Sequence, residues 1–450
     1  MSIENYEKVI LEIHVRVKSD TKFFCNCKNA VELATEPNIN VCPVCMFPML
    51  PSINAEVVRL VKALLMNCSI NKSSRFDRKS YFYPDLPNSF QITQMYETIT
   101  ATVKVLVEVK EFIHHMHLEN DAKLVHSALT LCDYNRASPL MEIVTDPVFY
   151  DKEEVVEFLK ELQKMFRFAS ISDADMEKQL RCDVNISIRK KDTKLTRVEL
   201  KNINSFSSIA RAIDEFLRQV RLLESGTIDQ ETRWDDDKGV STTQRSKEDA
   251  MDYRYFPEPD LLPINLSDEY IEDCKKELPE LPIEKRLRYL HDYKLSEDDA
   301  RILTADKELC DYFEVMVKLT NDPKKSCSYI TTILLALLNE CKEEGICNLK
   351  FDATELAKVI ELVNKNEISS TNSKTIVEEL FKRKTDDIID KLLRQQNNTD
   401  ELEKIVEDVL STLSQIEEYK SKVNLFFFVQ CMKASKKNPK IFTDIIKNKI

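Results

Sequence analysis

Residues Lys8–Lys18 read KVILEIHVRVK, and the alternation within them decides the fold class. Successive side chains of a strand point to opposite faces. Val9, Leu11, Ile13, Val15 and Val17 therefore share one face, and Glu12, His14 and Arg16 the other. The same rhythm recurs further along. TVKVLVEVK (Thr102–Lys110) turns Val103, Val105, Val107 and Val109 inward, and RCDVNISIR (Arg181–Arg189) does so with Cys182, Val184, Ile186 and Ile188. The latter presents Asp183, Asn185, Ser187 and Arg189 outward, as TRVELKN presents Arg197, Glu199 and Lys201. HMHLEND sets His117 and Glu119 two apart, and PLMEIV carries Glu142 amid apolar neighbours. The expectation is an antiparallel sheet with one face on a core and one open to water. Helices cover the dry side: in DKEEVVEFLKELQKMF, Asp151 is a predicted N-cap, and Val155, Phe158, Leu159, Leu162 and Phe166 form the apolar stripe. The run from Ser207 to Leu223 is similar.

The outward face has two readings. It is a solvated surface, or it is a basin for a divalent ion. Glu12, His14, His117, Glu119, Asp183 and Asn185 are carboxylates, imidazoles and an amide with little lysine among them. Hard oxygen ligands with an occasional imidazole suit Mg²⁺, which usually arrives with phosphates.

Composition narrows the classes. The 450 residues are 43 % hydrophobic and 32 % charged, as a folded globular protein requires, and the formal net charge is −12, so nucleic acid would have to be met by local basic patches. The three glycines, Gly226, Gly239 and Gly345, cannot spell GxxxxGK[ST] or GxGxxG, which excludes both phosphate-cradling fingerprints. Neither a membrane-length apolar run nor a readable targeting leader is present, and membrane association is not expected.

Thirteen cysteines, mostly single within apolar stretches, suggest a reducing compartment. Four near the start differ: Cys25-x-Cys27, then Cys42-Pro-Val-Cys45. Two short-spaced pairs can converge four thiolates on one structural Zn²⁺, and a closed site of that kind holds a loop without doing chemistry.

After the prolines at 257, 259, 263, 279 and 282 the strand signals stop and helical spacing begins near Ile283. The last unit opens with NNTDELEKIVEDVL, with Thr399 or Asp400 as predicted N-cap and Leu402, Ile405, Val406 and Val409 as its stripe. Its tail carries Lys433, Lys436, Lys437 and Lys440, either complements to helix dipoles or contacts to RNA phosphates. A second basic cluster, Arg75, Arg78 and Lys79, stands beside Phe76, Tyr81, Phe82 and Tyr83, mixing charge with stacking surface.

Several long, irregular stretches resemble one family nearly end to end. These are LEIHV, FCNC with EPNINVCPVC, RFDRKSYFYPDLPNSFQITQ, HLEND, DYNRASPLMEIVTDP, SDADMEKQLRCDVNISIR, VELKNINSF, QETRWDDDKG and RSKEDAMDYRYFPEPDL. They are similar to the B subunit of the tRNA-dependent amidotransferase, the GatB family. The resemblance implies an α+β fold in three parts. These are a cradle domain over 1–280, on an antiparallel sheet with covering helices and the zinc loop; an all-α domain over 281–396; and a small α-helical, YqeY-like tail over 397–450 that touches tRNA. It implies ATP-dependent phosphorylation of the side-chain carboxylate of misacylated Glu-tRNA(Gln), or Asp-tRNA(Asn), then amidation with ammonia from a glutaminase A subunit, with a small C subunit completing a heterotrimer. The family works in bacterial cytoplasm and in mitochondria or plastids.

Carried over singly, the family's metal and ATP positions fall on Glu12, His14, Glu142 and Asp183, with Glu119, Asn120, Asn185 and Lys201 beside them for the nucleotide. The family's HLEED-A-G-K is here HLENDAK, so Asn120 replaces a glutamate; the glycines before LE and in NRAG are also absent. The alternative these losses imply is a non-catalytic, zinc-stapled tRNA scaffold with a degraded ATP site.

Overall fold

The computed structural model describes residues 6–29, 44, 50–61, 68–81, 89–107, 110–121, 138–176, 179–189, 196–203, 205–222, 230–235, 238–246, 253–341, 346, 349, 351–365, 367–382, 399–413, 429–431, 441 and 443–446. The chain divides into two compact units, Met1–Leu281 and Pro282–Ile450.

The first unit is built on a nine-stranded sheet. Its strands are β1 (Tyr6–Arg16), β2 (Cys68–Ile70), β6 (Thr100–Val107), β7 (Lys110–Asn120), β8 (Pro139–Thr145), β9 (Leu180–Arg189), β10 (Thr196–Ile203), β11 (Gln230–Asp235) and β12 (Val240–Ser246). They lie side by side in the order β12-β11-β10-β9-β1-β8-β7-β6-β2. Every neighbouring pair is antiparallel except β10 with β11, which the alternation did not foretell. Period-2 patterning assigns faces but is blind to strand direction.

Along β1, and at Cys182, Val184 and Ile186 of β9, the dry face is as expected; Val109 lies outside the described residues. Val9, Leu11, Ile13, Val15 and Val17 are at most 2 % exposed, and Cys182, Val184, Ile186, Val198 and Leu200 join them in one core. Beside α1 (Ala55–Val61), two longer helices serve this unit, α2 (Lys152–Phe168) and α3 (Phe206–Leu222). Asp151 caps α2, accepting the Glu154 N–H at 2.8 Å, and the whole predicted stripe from Val155 to Phe166 is buried. Each such fully buried side chain contributes about 1.5–3 kcal/mol, so Phe158→Ala would cost about 3–5 kcal/mol through transfer and cavity terms.

The polar face is only partly covered. At the end of β7 a three-stranded sheet borders it as a partial roof, made of β4 (Asp77–Ser80), β5 (Phe90–Thr93) and β13 (Phe256–Pro257), with β4 in the middle. A two-stranded ribbon of β3 (Ser73–Ser74) and β14 (Ile264–Asn265) adjoins it in sequence. Asn120, at the end of β7, ties the roof down: its backbone oxygen accepts from Gln91 Nε2 and its Oδ1 from the Ile92 N–H, both at 2.8 Å. The roof is pinned within itself by Arg78, whose guanidinium donates to both oxygens of buried Glu258 at 2.6 and 2.8 Å and stacks 4.2 Å over the Phe90 ring. The cluster read as charge beside stacking surface therefore splits up. Phe76 is fully buried, stacked edge-on against Phe23 and Phe24, and Arg78 is engaged with Glu258. Phe82 and Tyr83 lie outside the described residues. The helix α4 (Asp268–Lys276) closes the unit, with Ser267 as its cap.

The second unit is helical: α5 (Pro282–His291), α6 (Glu297–Leu303), α7 (Lys307–Thr320), α8 (Pro323–Tyr329), α9 (Leu335–Cys341), α10 (Ala353–Asn364), α11 (Ser370–Lys382) and α12 (Thr399–Leu413). Aspartates start the turns: Asp306 and Asp322 cap α7 and α8, and Asp352 forms a capping box with Glu355 at α10. Between α8 and α9 the backbone widens into a π-turn over Ile330–Leu334, where the Thr331 and Thr332 hydroxyls bond back to Cys327 and Ser328 carbonyls. The helix α12 already includes Thr399, so its cap does not lie at Thr399 or Asp400. Leu402 and Val406 pack with Cys431, Ile445 and Ile446 in a small separate core. Among the described residues no helix is long and apolar enough to cross a membrane.

Candidate active site

Strand register assembles the site. His14 of β1 stands opposite Glu142 of β8 and Arg181 of β9, while His117 of β7 faces Glu142 from the other side. Two residues along β1, Glu12 faces Asp183. The result is a row, His117–Glu142–His14, with Glu12 and Glu119 within reach. Glu142 Oε2 lies 3.4 Å from His14 Nε2 and 3.1 Å from His117 Nε2, and Glu119 Oε1 lies 3.6 Å from His14 Nε2. Two overlapping triads, Glu12–His14–Glu142 and His117–Glu119–Glu142, each bring their ligand atoms within 4.8 Å of one another.

Burial makes this cluster electrically tense. Glu142 is held well below the usual carboxylate range: burial opposes its charge, but His117 and His14 more than compensate. Burial and the neighbouring Glu142 charge push Glu12 up to about 7. Burial and Glu142 likewise raise Glu119, and burial raises Asp183. For His14 burial pulls down, yet the Glu142 hydrogen bond and the charges of Glu142, Glu119 and Glu12 carry it up to about 10. Several carboxylates share one buried basin in which protons on His14 and His117 now balance their charge, and a divalent cation could take the place of those protons. The donor set, oxygens with one or two imidazoles, fits Mg²⁺ or Mn²⁺.

Above the cluster is a cavity of about 360 Å³, lined by His14, Lys79, Tyr81, Gln91, Glu119, Asp121, Leu140, Arg181, Asp183 and Lys201. That is within the roughly 300–1,000 Å³ of small-ligand sites. Three cations face it. Arg181 approaches Asp121 at 3.6 Å and Lys201 approaches Glu199 at 3.2 Å. Lys79 makes no ion pair with a described carboxylate and rests 4.9 Å from the Tyr253 ring centre. Burial opposes its charge, but Glu119, Tyr255 and Glu142 raise its pKa.

The structure thus brings Glu12, His14, Glu119, Glu142, Asp183 and Lys201 together. It does not add Asn120 or Asn185. Asn120 is buried with its oxygens bonded to Gln91 and Ile92, and Asn185, on the same face as Asp183, sits opposite Ile10 and Glu199 next to the cavity without lining it. Where the family's glycines are absent, Ile10 continues β1 in regular register and the Ser138 hydroxyl donates to Asn29 Oδ1 at 2.7 Å; neither residue has a positive φ. Lys79, Asp121 and Arg181 were not chosen as site residues from sequence, and His117 entered only through the reading of the polar face as an ion basin. His117 carried a signal, sharing a face with Glu119. Lys79 lies in a four-residue strand too short for a periodic one.

Cys25 is buried and Cys27 half-buried in a loop closed by the Thr21–Lys28 bridge, with the Lys22 N–H donating to the Cys27 carbonyl at 2.9 Å. Cys42 and Cys45 lie outside the described residues, as do Lys433, Lys436, Lys437 and Lys440.

Residues 8–272 match the GatB/GatE catalytic domain, and residues 311–450 match the GatB domain. Similar curated proteins include the B subunit of the aspartyl/glutamyl-tRNA(Asn/Gln) amidotransferase of Persephonella marina, 43 % identical with 98 % of each chain covered. Its counterpart in Fusobacterium nucleatum is 42 % identical with 100 % of each covered, and that in Lachnoclostridium phytofermentans 40 % with 98 %. With both domains matched and relatives aligned from end to end, the chain belongs to the GatB family.

Proposed function

We propose that the protein is the amidating subunit of a tRNA-dependent amidotransferase, a ligase that forms a carbon–nitrogen bond with glutamine as the amido donor. The γ-phosphoryl group of ATP passes to the side-chain carboxylate of glutamate esterified to tRNA(Gln), or of aspartate on tRNA(Asn), releasing ADP. Ammonia then attacks the activated carbonyl, phosphate leaves, and an amide remains. A glutaminase A subunit supplies the ammonia and a small C subunit completes the complex.

One observation carries the reading: Glu12, His14, Glu119, Glu142 and Asp183 converge beneath a cavity that also holds Lys79, Arg181 and Lys201. Glu12, His14 and Glu142, with Asp183 beside them, would hold Mg²⁺, and Glu119 and Lys201 would meet the nucleotide. When bound, the ion neutralises charge on the phosphate oxygens. Phosphoryl transfer is mostly positioning and charge neutralisation, and the protein's part follows from that. Lys79, Arg181 and Lys201 face the transferred group and draw off its negative charge. The scaffold alternative is not favoured, because the relatives that match this chain from end to end are named as amidotransferase subunits.

The cysteine loop is proposed to hold structural Zn²⁺ and the tail, 397–450, to contact tRNA through its lysines. The compartment follows the host, mitochondrial matrix or bacterial cytoplasm. The test is ATP-dependent conversion of Glu-tRNA(Gln) to Gln-tRNA(Gln) by the chain reconstituted with its A and C subunits. Glu12→Ala or Asp183→Ala should lower the rate about 10²–10³-fold; amidation at the unaltered rate in both variants would refute the assignment.

A further inference from the structure

The helical unit has a cavity of its own. About 360 Å³ of space opens where the turn between α5 and α6 meets α8 and the π-turn that follows it. Lys294, Asp299, Lys324, Ser328, Thr331 and Thr332 stand in its wall, and none of them lines the cavity of the candidate active site. The volume suits a small molecule.

The polar groups of the wall divide into two sets. The first can only donate or is free to donate. The ammonium groups of Lys294 and Lys324 have neither an ion pair nor a hydrogen bond among the described residues, in a chain whose carboxylates outnumber its Lys and Arg by 77 to 65. The Ser328 hydroxyl is likewise without a partner among them. The second set accepts. Thr331 and Thr332 spend their hydroxyl protons on the Cys327 and Ser328 carbonyls at 3.0 and 2.6 Å, which leaves them lone pairs to offer. Asp299 accepts from the Ser296 hydroxyl at 2.7 Å and from the Cys327 thiol, and a carboxylate has room for more donors than two. Cys327 itself is no nucleophile: burial and then Asp299 push its thiol up to about 12, so it stays protonated.

The backbone of the wall is irregular in two places. Lys294 stands in left-handed conformation (φ 53°), just before Leu295, whose N–H donates to the Tyr289 carbonyl at 3.1 Å. The π-turn over Ile330–Leu334 carries both threonines, and such turns are rare and concentrate at functional sites. Both conformations are less stable than regular backbone, and both border the same cavity.

We infer that this cavity binds a small phosphate monoester that also carries hydroxyl groups, a sugar phosphate in chemical class. The inference is independent of the amidotransferase reading. A monoester carries about −1.5 to −2 charges at pH 7, which the two unpaired ammonium groups balance, with the Ser328 hydroxyl as a third donor. A carboxylate, or the phosphodiester of a nucleic-acid backbone, carries one. Asp299 and the threonine oxygens accept from the hydroxyls of the ligand and repel a second anionic group.

The experiment titrates ribose 5-phosphate into the full chain by calorimetry, with ribose and a short RNA oligonucleotide as comparisons. Saturable binding of the sugar phosphate is expected, with ribose at least about ten-fold weaker. Lys294→Met and Lys324→Met keep the stems and should each weaken the sugar phosphate about ten-fold or more, since a charge-assisted hydrogen bond is lost. Both side chains are exposed, so the urea unfolding midpoint should not move. No saturation below about 10 mM overturns the proposal, as does unchanged affinity in both variants. Weakening by Lys79→Met alone overturns it by placing the probe in the other cavity. Tighter binding of the oligonucleotide, lost in the same two lysine variants, overturns it by assigning them to a nucleic-acid backbone.

Discussion

His14 and His117 both reach the same oxygen of Glu142, their Nε2 atoms 3.4 and 3.1 Å from Oε2. They arrive from opposite neighbouring strands, so one carboxylate on β8 joins both ligand triads. Glu142→Gln keeps the shape and removes the charge. The expected outcome is a fall of about 10²-fold or more in Mn²⁺ affinity by calorimetric titration, with amidation falling alongside. Retention of metal affinity would show that Glu142 only orients the histidines.

Glu12 predicts a pH dependence. In the metal-free basin burial and Glu142 hold its proton up to about 7. A cation held by Glu12 and His14 must displace both their protons, so metal affinity should rise as pH climbs through about 7 and keep rising toward about 10, where His14 gives up its own. Calorimetry at about pH 6 and about pH 8, either side of the Glu12 value, in buffers of different ionisation enthalpy reads both the affinity and the released protons. A flat affinity across that interval contradicts the assignment.

Asn120 separates ligand from clamp. Its Oδ1 satisfies the buried Ile92 N–H. Asn120→Ala orphans that donor and should cost about 1–3 kcal/mol in urea unfolding, with the roof loosened. Asn120→Asp keeps an acceptor there and should restore most of the loss. A metal ligand would behave differently: alanine would spare stability and lower metal affinity.

Zinc and tRNA binding are expected to part company. Elemental analysis is expected to find one zinc per chain, and Cys25→Ala should abolish it. Truncation after Gln396 should leave zinc unchanged and weaken tRNA binding, with a smaller salt dependence. Equal tRNA affinity in the truncated chain would remove the tail from the RNA surface.

In the helical unit, Glu314 accepts from Lys285 at 2.7 Å, from Arg288 and from the Tyr289 hydroxyl. Burial alone would raise its pKa, but these donors lower it below 4.5. A depressed folded-state pKa means the stabilisation is present above pH 4.5 and lost as pH falls through the folded value. Glu314→Ala should therefore cost about 1–3 kcal/mol at about pH 7, removing the acceptor that Lys285, Arg288 and the Tyr289 hydroxyl share, and much less at about pH 3. An equal cost at both values would place the effect in packing.

The alternation in Lys8–Lys18 and its counterparts by itself determined which side chains enter the core and that Glu12, His14, Glu119, Glu142 and Asp183 point the other way. Side-chain direction in a strand is a local property of period 2, legible in about ten residues. Helix α2 was equally legible, cap and stripe together. Only the tertiary structure decided that the polar face is partly roofed at the end of β7, because β4, β5 and β13 run for four, four and two residues and carry no periodic signal. Their placement depends on contacts across long sequence separations, such as Arg78 with Glu258. Desolvation, a property of the assembled layers and of no single segment, is what turns a row of polar residues into a basin suited to a cation.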